Sequence, residues 1–250
     1  MKPTFANENS ILNEVEIEQI IAQAWDGNVE LRSKELFNAT DECYINIIRP
    51  WVLNKIRECT DKEDNLLDIG CGCGYLTNEI YLSERTRIIG IDISKKSISI
   101  AKSKFPNITF DVKNFCNYKT NDRFDLCIAV MVMNNLPDID KFCEQLFRIL
   151  NDNGTAIIVI PHPCFWPEKH INESTYSYLE EKTYNFKFST KKQKQYPSNV
   201  FYFHRPLEIY YNCFKKYGFT IESITELPEI TKIENPDVIG FVIKKAKNTP

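Results

Sequence analysis

The sequence contains little glycine, little histidine and no long apolar run. It has 250 residues with 8 glycines and 3 histidines, whereas glycine ordinarily accounts for about 7% of a protein. No window approaches the length of about 18 apolar residues that a transmembrane helix needs, so we predict no membrane span. The N-terminal segment MKPTFANENS lacks the apolar core of a signal peptide, and we therefore expect a cytoplasmic protein.

An excess of basic charge is also absent. The formal net charge is −3 and the sequence pI is about 5.8, so no global positive field points to nucleic acid. Apolar residues make up 43% and charged residues 26%, which is typical of a globular protein. The nine cysteines are odd in number and form no C-x-x-C pair. They therefore predict reduced thiols and no metal site.

From residue 65 onward, short apolar runs alternate with amphipathic stretches. The predicted strands cover residues 65–69, 87–91, 108–112, 124–130, 155–160, 219–226 and 238–244. The predicted helices between them cover residues 75–82, 95–104, 138–150 and 206–217. Near-continuous apolar strands alternating with helices predict an α/β fold. We expect a Rossmann-like, seven-stranded, mostly parallel sheet with helices on both faces and an antiparallel last strand.

Two further segments flank this pattern. Residues 11–58 predict helices and form an expected N-terminal helical cap over residues 1–60, ahead of the main α/β domain over residues 61–250. Residues 162–205 interrupt the alternation and hold 11 of the 31 aromatic residues. Because aromatic side chains enclose substrates and exclude water, we predict that this insertion is a lid.

Three of the eight glycines fall within five residues. The segment LLDIGCGCGYLTNEI at 66–80 predicts a strand, a turn through Gly70, Cys71, Gly72 and Gly74, and then a helix. Glycine at such a turn lets the backbone bend and approach a ligand closely. Asp68 lies just before the turn, where it would face a cationic group. Asp92 follows the next strand, where a carboxylate can accept both hydroxyls of a ribose. Together they predict an adenosine-containing ligand.

The spacing of the third glycine selects the ligand. A dinucleotide site has the pattern G-x-G-x-x-G, but Tyr75 occupies its last position and the glycine stands at 74. The resulting D-x-G-x-G-x-G loop, with Asp92 downstream, resembles the first motifs of class I S-adenosylmethionine (AdoMet) dependent methyltransferases. The resemblance continues through 124–138 and 146–163, and 204–228 is similar to the small-molecule "type 11" group. It implies that AdoMet is the cofactor and that 61–250 is a methyltransferase domain.

The resemblance also implies further cofactor contacts. Asn114 stands where the family usually has an acid for the adenine amino group, and Ile93 or Phe115 would press on the adenine face. Val130 and Met131 match positions that line the methionine end of the cofactor. The N-terminal helices are expected to fold over the cofactor, because Trp25 and Arg32 resemble a Trp-Asp…Arg segment of many relatives that touches cofactor or substrate. Ile93, Phe115, Val130 and Met131 could equally serve core packing, and hydrophobic packing is the favoured role of Trp25.

Methyl transfer to oxygen or to a protonated nitrogen calls for a base. His162 follows the fifth predicted strand, at the edge where open α/β sheets bind ligands, and is our candidate catalytic residue. Local fixing of the loop is the alternative role for this histidine.

The predicted function is methyl transfer from AdoMet to an oxygen or nitrogen atom of a small-molecule metabolite. Two alternatives remain open at the level of sequence. Lys187, Lys191, Lys192 and Lys194 interleave with aromatic residues that could stack on the bases of tRNA or rRNA. The substitution at Asn114 and the lack of an unmistakable base would also suit a non-catalytic AdoMet-binding protein.

Overall fold

We describe the protein from a computed structural model. The structure describes residues 6–7, 10–11, 13–59, 64–84, 87–171, 176–190, 192–193, 195–228 and 235–246. The helices are α1 (Glu14–Phe37), α2 (Arg49–Cys59), α3 (Tyr75–Glu84), α4 (Lys95–Lys104), α5 (Ile139–Ile149), α6 (Trp166–His170) and α7 (Leu207–Lys216). Apart from a two-residue antiparallel pair, Ala6–Asn7 with Ser10–Ile11, the strands are β1 (Asn65–Ile69), β2 (Arg87–Asp92), β3 (Thr109–Val112), β4 (Phe124–Val130), β5 (Leu150–Pro161), β6 (Lys182–Lys187), β7 (Asn199–His204), β8 (Phe219–Leu227) and β9 (Val238–Lys245).

Seven strands form one sheet in the order β8-β9-β5-β4-β1-β2-β3. The five strands β3, β2, β1, β4 and β5, taken in their order across the sheet, pair in parallel. Strand β9 pairs antiparallel with both β5 and β8. The predicted mostly parallel sheet with an antiparallel last strand is therefore confirmed. The chain reverses its strand order beside β1, and this is the point where an open α/β sheet has a crevice for ligands.

Helices cover both faces of the sheet, as the sequence predicts. Alternate residues of each parallel strand point to opposite faces, so Leu67 and Ile69 pack with α5 and α7 while Leu66 packs with α2, α3 and α4. Both clusters consist of side chains that are almost fully buried. Each strand of the sheet centre therefore reads as continuously apolar because both of its faces are covered.

The N-terminal segment is helical, as predicted for residues 11–58. Helix α1 begins at Glu14 after the Asn13 cap; its Ile17 and Ile21 are buried, whereas Val15 is exposed. A π-helical turn at Tyr44–Ile48 precedes α2. Single π-helical turns are frequent at functional sites, and this turn places Tyr44 toward the cavity described below.

The insertion contains regular structure that the sequence analysis did not predict. Strands β6 and β7 form an antiparallel hairpin of their own, and β7 packs against α1. Along β7, Phe203 faces Ile17 and Ile21 of α1, whereas Tyr202 faces the opposite side with Ile171 and Tyr184. The aromatic residues of this hairpin therefore fill two small cores instead of projecting into solvent.

The fifth sheet strand starts earlier than the sequence predicts. The predicted strand begins at residue 155, after a turn at Asn153 and Gly154 that the Asn-Gly pair indicates. In the structure β5 begins at Leu150, and its pairing with β4 skips from Leu150 to Thr155. Asn153 has a φ of 64°, so the extra residues form an irregularity within the strand instead of a turn before it.

Gly240 gives a test of packing on the α2 face of the sheet. A Cβ atom at this position would lie 2.3 Å from the ring of Trp51 on α2. We expect Gly240→Ala to lower the free energy of unfolding by about 1–3 kcal/mol, because overpacked cores shift side chains and backbone. Urea denaturation measures this change.

The matched control is Trp51→Leu, which removes the ring that the new methyl group would meet. In the Trp51→Leu background, Gly240→Ala should cost clearly less than in the wild type, as a double-mutant cycle would report. Equal costs in both backgrounds would contradict the assignment of Trp51 as the opposing group.

Candidate functional site

The candidate site is a cavity at the carboxyl ends of the central strands. It has a volume of about 230 Å³ and lies between the ends of β1, β2 and β4 on one side and helix α1 on the other. The cavity walls include the predicted residues Asp68, Gly70, Cys71, Gly72, Asp92, Ile93, Asn114, Phe115, Val130 and Met131. Most of the residues predicted from separate motifs are therefore brought together at one place.

The glycine loop after β1 is bent in a way that only glycine accepts easily. Gly70, Gly72 and Gly74 have φ values of 69°, 55° and 77°, and an L side chain is disfavoured in this left-handed region. A Cβ atom on Gly72 would meet nothing within 4 Å, so the backbone there borders open space. Gly74 is not among the cavity walls, and a Cβ atom there would lie 2.7 Å from Phe110. Its role is close packing behind the loop.

Asp92, at the end of β2, is hydrogen-bonded to the loop. One carboxylate oxygen accepts from Gly72 N at 2.9 Å and the other accepts from Ser94 N at 2.8 Å. Burial raises the pKa of Asp92, and these backbone bonds offset part of that rise. Because a carboxylate oxygen has more than one lone pair, both oxygens can still accept from a ligand hydroxyl in the cavity.

Asp68 is a buried carboxyl group without a cation. It is 2% exposed, and Thr77 donates to it from its hydroxyl at 2.6 Å. Burial raises the pKa of Asp68 to about 7, since the Thr77 bond compensates only part of the desolvation and the Asp92 charge adds to the rise. Among the residues that the structure describes, no Lys or Arg forms a salt bridge with Asp68, and the cavity is where a cation could reach it.

The predicted adenine contacts lie together at one side of the cavity. Ile93 and Asn114 follow β2 and β3, and Phe115 is buried with its ring 4.9 Å from that of Phe142. The Asn114 side-chain oxygen, which we expected to accept from adenine, already accepts from Cys116 N at 3.0 Å. It therefore caps the turn after β3 and retains one lone pair for a ligand.

The end of β4 carries a strained residue. Met131 has a φ of 59°, which is uncommon for a residue with a side chain and is found most often at functional sites. Its backbone is fixed by bonds from Met131 N to Val159 O at 2.8 Å and from the Asn135 side chain to Met131 O at 2.7 Å. Val130 and Met131 are thus held at the cavity wall in a conformation that this framework imposes.

Helix α1 covers the cavity, and sequence reasoning found only part of this cover. Besides Trp25 and Arg32, the helix contributes Glu18, Ile21, Val29 and Leu36. Their spacing of three and four residues places them on one helical face. That spacing was the available signal, but the polar members Glu18 and Arg32 interrupt the apolar pattern. Asp26 attaches α1 to the start of α4, since it accepts from Ser94 Oγ at 2.5 Å and from Lys96 N at 3.0 Å.

His162 lies away from the cavity walls. Its Nε2 is 3.0 Å from Glu226, its Nδ1 accepts from Cys164 N at 3.2 Å, and its ring packs on Phe165. Burial lowers the pKa of His162, partly offset by Glu226. The role of base that we predicted for it gains no support from this geometry, and the other two histidines are also absent from the described cavity walls.

The described residues form neither a metal-binding cluster nor a membrane-spanning helix. Within these residues, no cluster of three or more His, Cys, Asp or Glu side chains is arranged to bind a metal ion. No helix in the described part of the chain has the length and apolar character of a membrane span.

Comparison with known proteins agrees with this geometry. A family model for a methyltransferase domain matches residues 60–205, which is more than half of the chain. The chain is 34% identical over 161 residues to ubiquinone biosynthesis O-methyltransferase of Pelagibacter ubique, covering 60% of this chain and 65% of that protein. It is 30% identical over 114 residues to trans-aconitate 2-methyltransferase of Escherichia coli O157:H7, covering 45% of each protein. The chain thus spans less than two thirds of the length of these relatives.

Solved structures support the same fold. An S-adenosylmethionine-dependent methyltransferase from Clostridium acetobutylicum superposes with a TM-score of 0.62 at 16% identity, covering 84% of this chain and 99% of that one. The resemblance to class I AdoMet-dependent methyltransferases is confirmed, and the chain belongs to the methyltransferase domain family.

Proposed function

We propose that this protein is an AdoMet-dependent methyltransferase that acts on an oxygen or nitrogen atom of a small-molecule metabolite. The observation that carries the proposal is the buried Asp68 beside a left-handed glycine loop. A carboxyl group withdrawn from water is costly unless an opposite charge compensates it. The α-ammonium group of an amino-acid-like ligand is the cation that fits between Asp68 and Gly70.

The remaining cavity walls fit the rest of such a ligand. The open space over Gly72 leaves room for the ligand, and the two oxygens of Asp92 can accept hydrogen bonds from the ribose hydroxyls. Ile93 and Phe115 offer apolar surface for the adenine ring. This donor set matches adenosine joined to an amino acid, whereas a pyrophosphate would meet two carboxylates.

AdoMet, when bound, supplies a methyl group on a positively charged sulfur atom. The residues of this chain bind and orient: Asp68 and Asp92 fix two ends of the cofactor, and Val130 and Met131 line the cavity between them. Helix α1 excludes water from above. Positioning of this kind accounts for a large part of catalysis when two reactants must align.

Several observations favour a small acceptor. Helix α1 covers the cavity with mostly apolar residues. The aromatic side chains Tyr184, Tyr196 and Tyr202 of the insertion are buried, so they do not offer faces to nucleic-acid bases. Of the lysines in the alternative RNA hypothesis, Lys187 and Lys192 are exposed, while Lys191 and Lys194 lie outside the described residues. The names of the two curated relatives also specify small molecules.

The domain division and the location belong to this proposal. We infer a cap over residues 1–60, a methyltransferase domain over 61–250, and a lid over 162–205. The packing of β7 on α1 supports the assignment of the lid, because it attaches the insertion to the helix that covers the cavity. The cytoplasmic location accords with the nine cysteines, which are all free thiols, as is usual in a reducing compartment.

Turnover is tested with methyl-labelled AdoMet and a cell extract, with the products separated by size. We expect the label to enter small molecules in a reaction that needs the protein. Label in RNA alone would support the alternative acceptor, and absence of transfer despite cofactor binding would favour the non-catalytic alternative.

Asp92 is the residue whose loss should weaken cofactor binding most directly. Calorimetry with S-adenosylhomocysteine (AdoHcy), the demethylated product, should show binding to the wild type and an affinity about 10–100-fold lower for Asp92→Ala, because hydrogen bonds to a charged group are lost. Asp111→Asn is the matched control, since Asp111 is a half-exposed acid on the neighbouring β3 and should bind as the wild type does. A wild type that binds no AdoHcy would refute the proposal.

Asp68→Asn should have opposite effects on stability and binding. Because the pKa of Asp68 is about 7 in the folded protein and about 3.9 unfolded, the folded state binds this proton more tightly. The ligand-free wild type therefore loses stability as pH rises from about 4 to about 7, up to about 4 kcal/mol. Asparagine keeps the Thr77 bond and removes the charge.

Denaturation of the ligand-free proteins should therefore show Asp68→Asn to be more stable than the wild type at pH 8, with the difference shrinking toward pH 4. The variant should bind AdoHcy at least about tenfold more weakly. A variant that is less stable at pH 8, or that binds equally well, would contradict the assignment of Asp68 as an uncompensated ligand for a cation.

A further inference from the structure

A charged cluster lies at the edge of the cavity, between α1 and the turn that follows it. Arg32 donates from Nη1 to Asp41 at 2.6 Å and to Glu35 at 3.4 Å. The side chains of Glu35 and Asp41 are only 9% and 11% exposed. Two carboxylates thus compete for one guanidinium, and Asp41 holds it more closely.

The insertion decides this competition in favour of Asp41. Thr190 donates its hydroxyl to Oε1 of Glu35, and Tyr196 donates its hydroxyl to Oε2 of the same carboxylate. Burial and then the Glu35 bond raise the pKa of Tyr196 above its ordinary value, so the phenol remains a donor at neutral pH. Both Glu35 oxygens are therefore engaged by the insertion, and Glu35 exerts less pull on Arg32.

The rest of the guanidinium environment comes from the insertion and from the π-helical turn before α2. Arg32 lies between two aromatic rings, 5.7 Å from the centre of Tyr44 and 5.8 Å from that of Phe188. Such stacking fixes the plane of a guanidinium. Both carboxylate bonds leave from Nη1, and the Tyr196 hydroxyl is a further side-chain partner of the guanidinium. Arg32 is also one of the cavity walls, and a guanidinium suits a carboxylate.

The insertion is held on α1 at a second point, so this arrangement is not a single contact. Asn28 donates to Ser198 O at 3.0 Å and accepts from Ser198 N at 2.8 Å. Phe188 packs on both Trp25 and Tyr196. Loss of one hydroxyl should therefore leave the insertion in place.

We propose that Tyr196 is a positioning residue: by occupying Glu35 and contacting the guanidinium itself, it holds Arg32 at the cavity wall, where Arg32 binds a carboxylate of the ligand. The inference rests on the proposed function, because the cavity must be the AdoMet site. Without the Tyr196 hydroxyl, Glu35 draws Arg32 into a closer ion pair than the present 3.4 Å contact, and the guanidinium turns away from the ligand. The carboxylate belongs either to the amino-acid end of the cofactor or to the acceptor.

The test compares two probes that differ in this carboxylate. AdoHcy carries the amino-acid group, and 5′-methylthioadenosine lacks it while keeping the adenosine part. Calorimetry should show that Tyr196→Phe weakens AdoHcy about five- to tenfold and changes methylthioadenosine less than about twofold. In an Arg32→Lys background, Tyr196→Phe should cause no further loss, since its effect passes through Arg32.

The matched control is Tyr202→Phe, a buried tyrosine of the same hairpin that faces Trp166 on the opposite side. It should bind both probes as the wild type does. A second arm titrates trans-aconitate into the AdoHcy-saturated protein: a loss confined to this arm assigns the carboxylate to the acceptor, and a loss in the first arm assigns it to the cofactor.

Equal weakening of both adenosine probes by Tyr196→Phe would show a loosened cover and overturn the proposal, as would no selective loss in either arm. Failure of the wild type to bind either adenosine probe is a different result, because it refutes the proposed cofactor and not the coupling between Tyr196 and Arg32.

Discussion

The site depends on placing two carboxyl groups, Asp68 and Asp92, at the ends of adjacent parallel strands inside the protein. Asp68 is buried and Asp92 is partly exposed, and burial raises the pKa of both carboxyl groups. Their cost is partly offset by Thr77 and by backbone N–H groups of the glycine loop. The ligand-free protein therefore carries an unfavourable electrostatic free energy that a cationic, hydroxyl-bearing ligand can lower. The proposed site would in this way couple the stability of the sheet edge to ligand binding.

The sheet was predictable because its strands are covered on both faces. The bounds of β1, β4 and α4 agree with the sequence prediction: continuous apolar runs mark the strands, and Ser94 caps the helix by accepting from Ser97 N at 3.0 Å. The loop motif likewise specified Asp68, Gly70, Cys71, Gly72 and Asp92 in the cavity walls, since left-handed glycines and the acids beside them leave a local signature.

What the sequence could not specify depends on contacts between distant segments. The hairpin of β6 and β7 was missed because its aromatic residues alternate between two small cores that only α1 and α6 complete. The predicted cover of the cavity was incomplete because Glu35 and Arg32 are polar residues on the inward face of α1. Their partners Tyr196 and Asp41 cannot be predicted from helical spacing. His162 had the right position along the chain, but the partners of its ring nitrogens are set by the loop after β5 and by β8.

The central claim is that the negative charge of Asp68 is uncompensated in the free protein and is paired by the ammonium group of bound AdoMet. The direct measurement is a carbon-13 NMR titration of the Asp68 side-chain carboxyl in the free protein and in the presence of saturating AdoHcy. We expect a pKa of about 7 in the free protein and a fall toward the ordinary value of about 4 when the ligand is bound. An ordinary pKa in the free protein, or a raised pKa that AdoHcy leaves unchanged, would contradict the account.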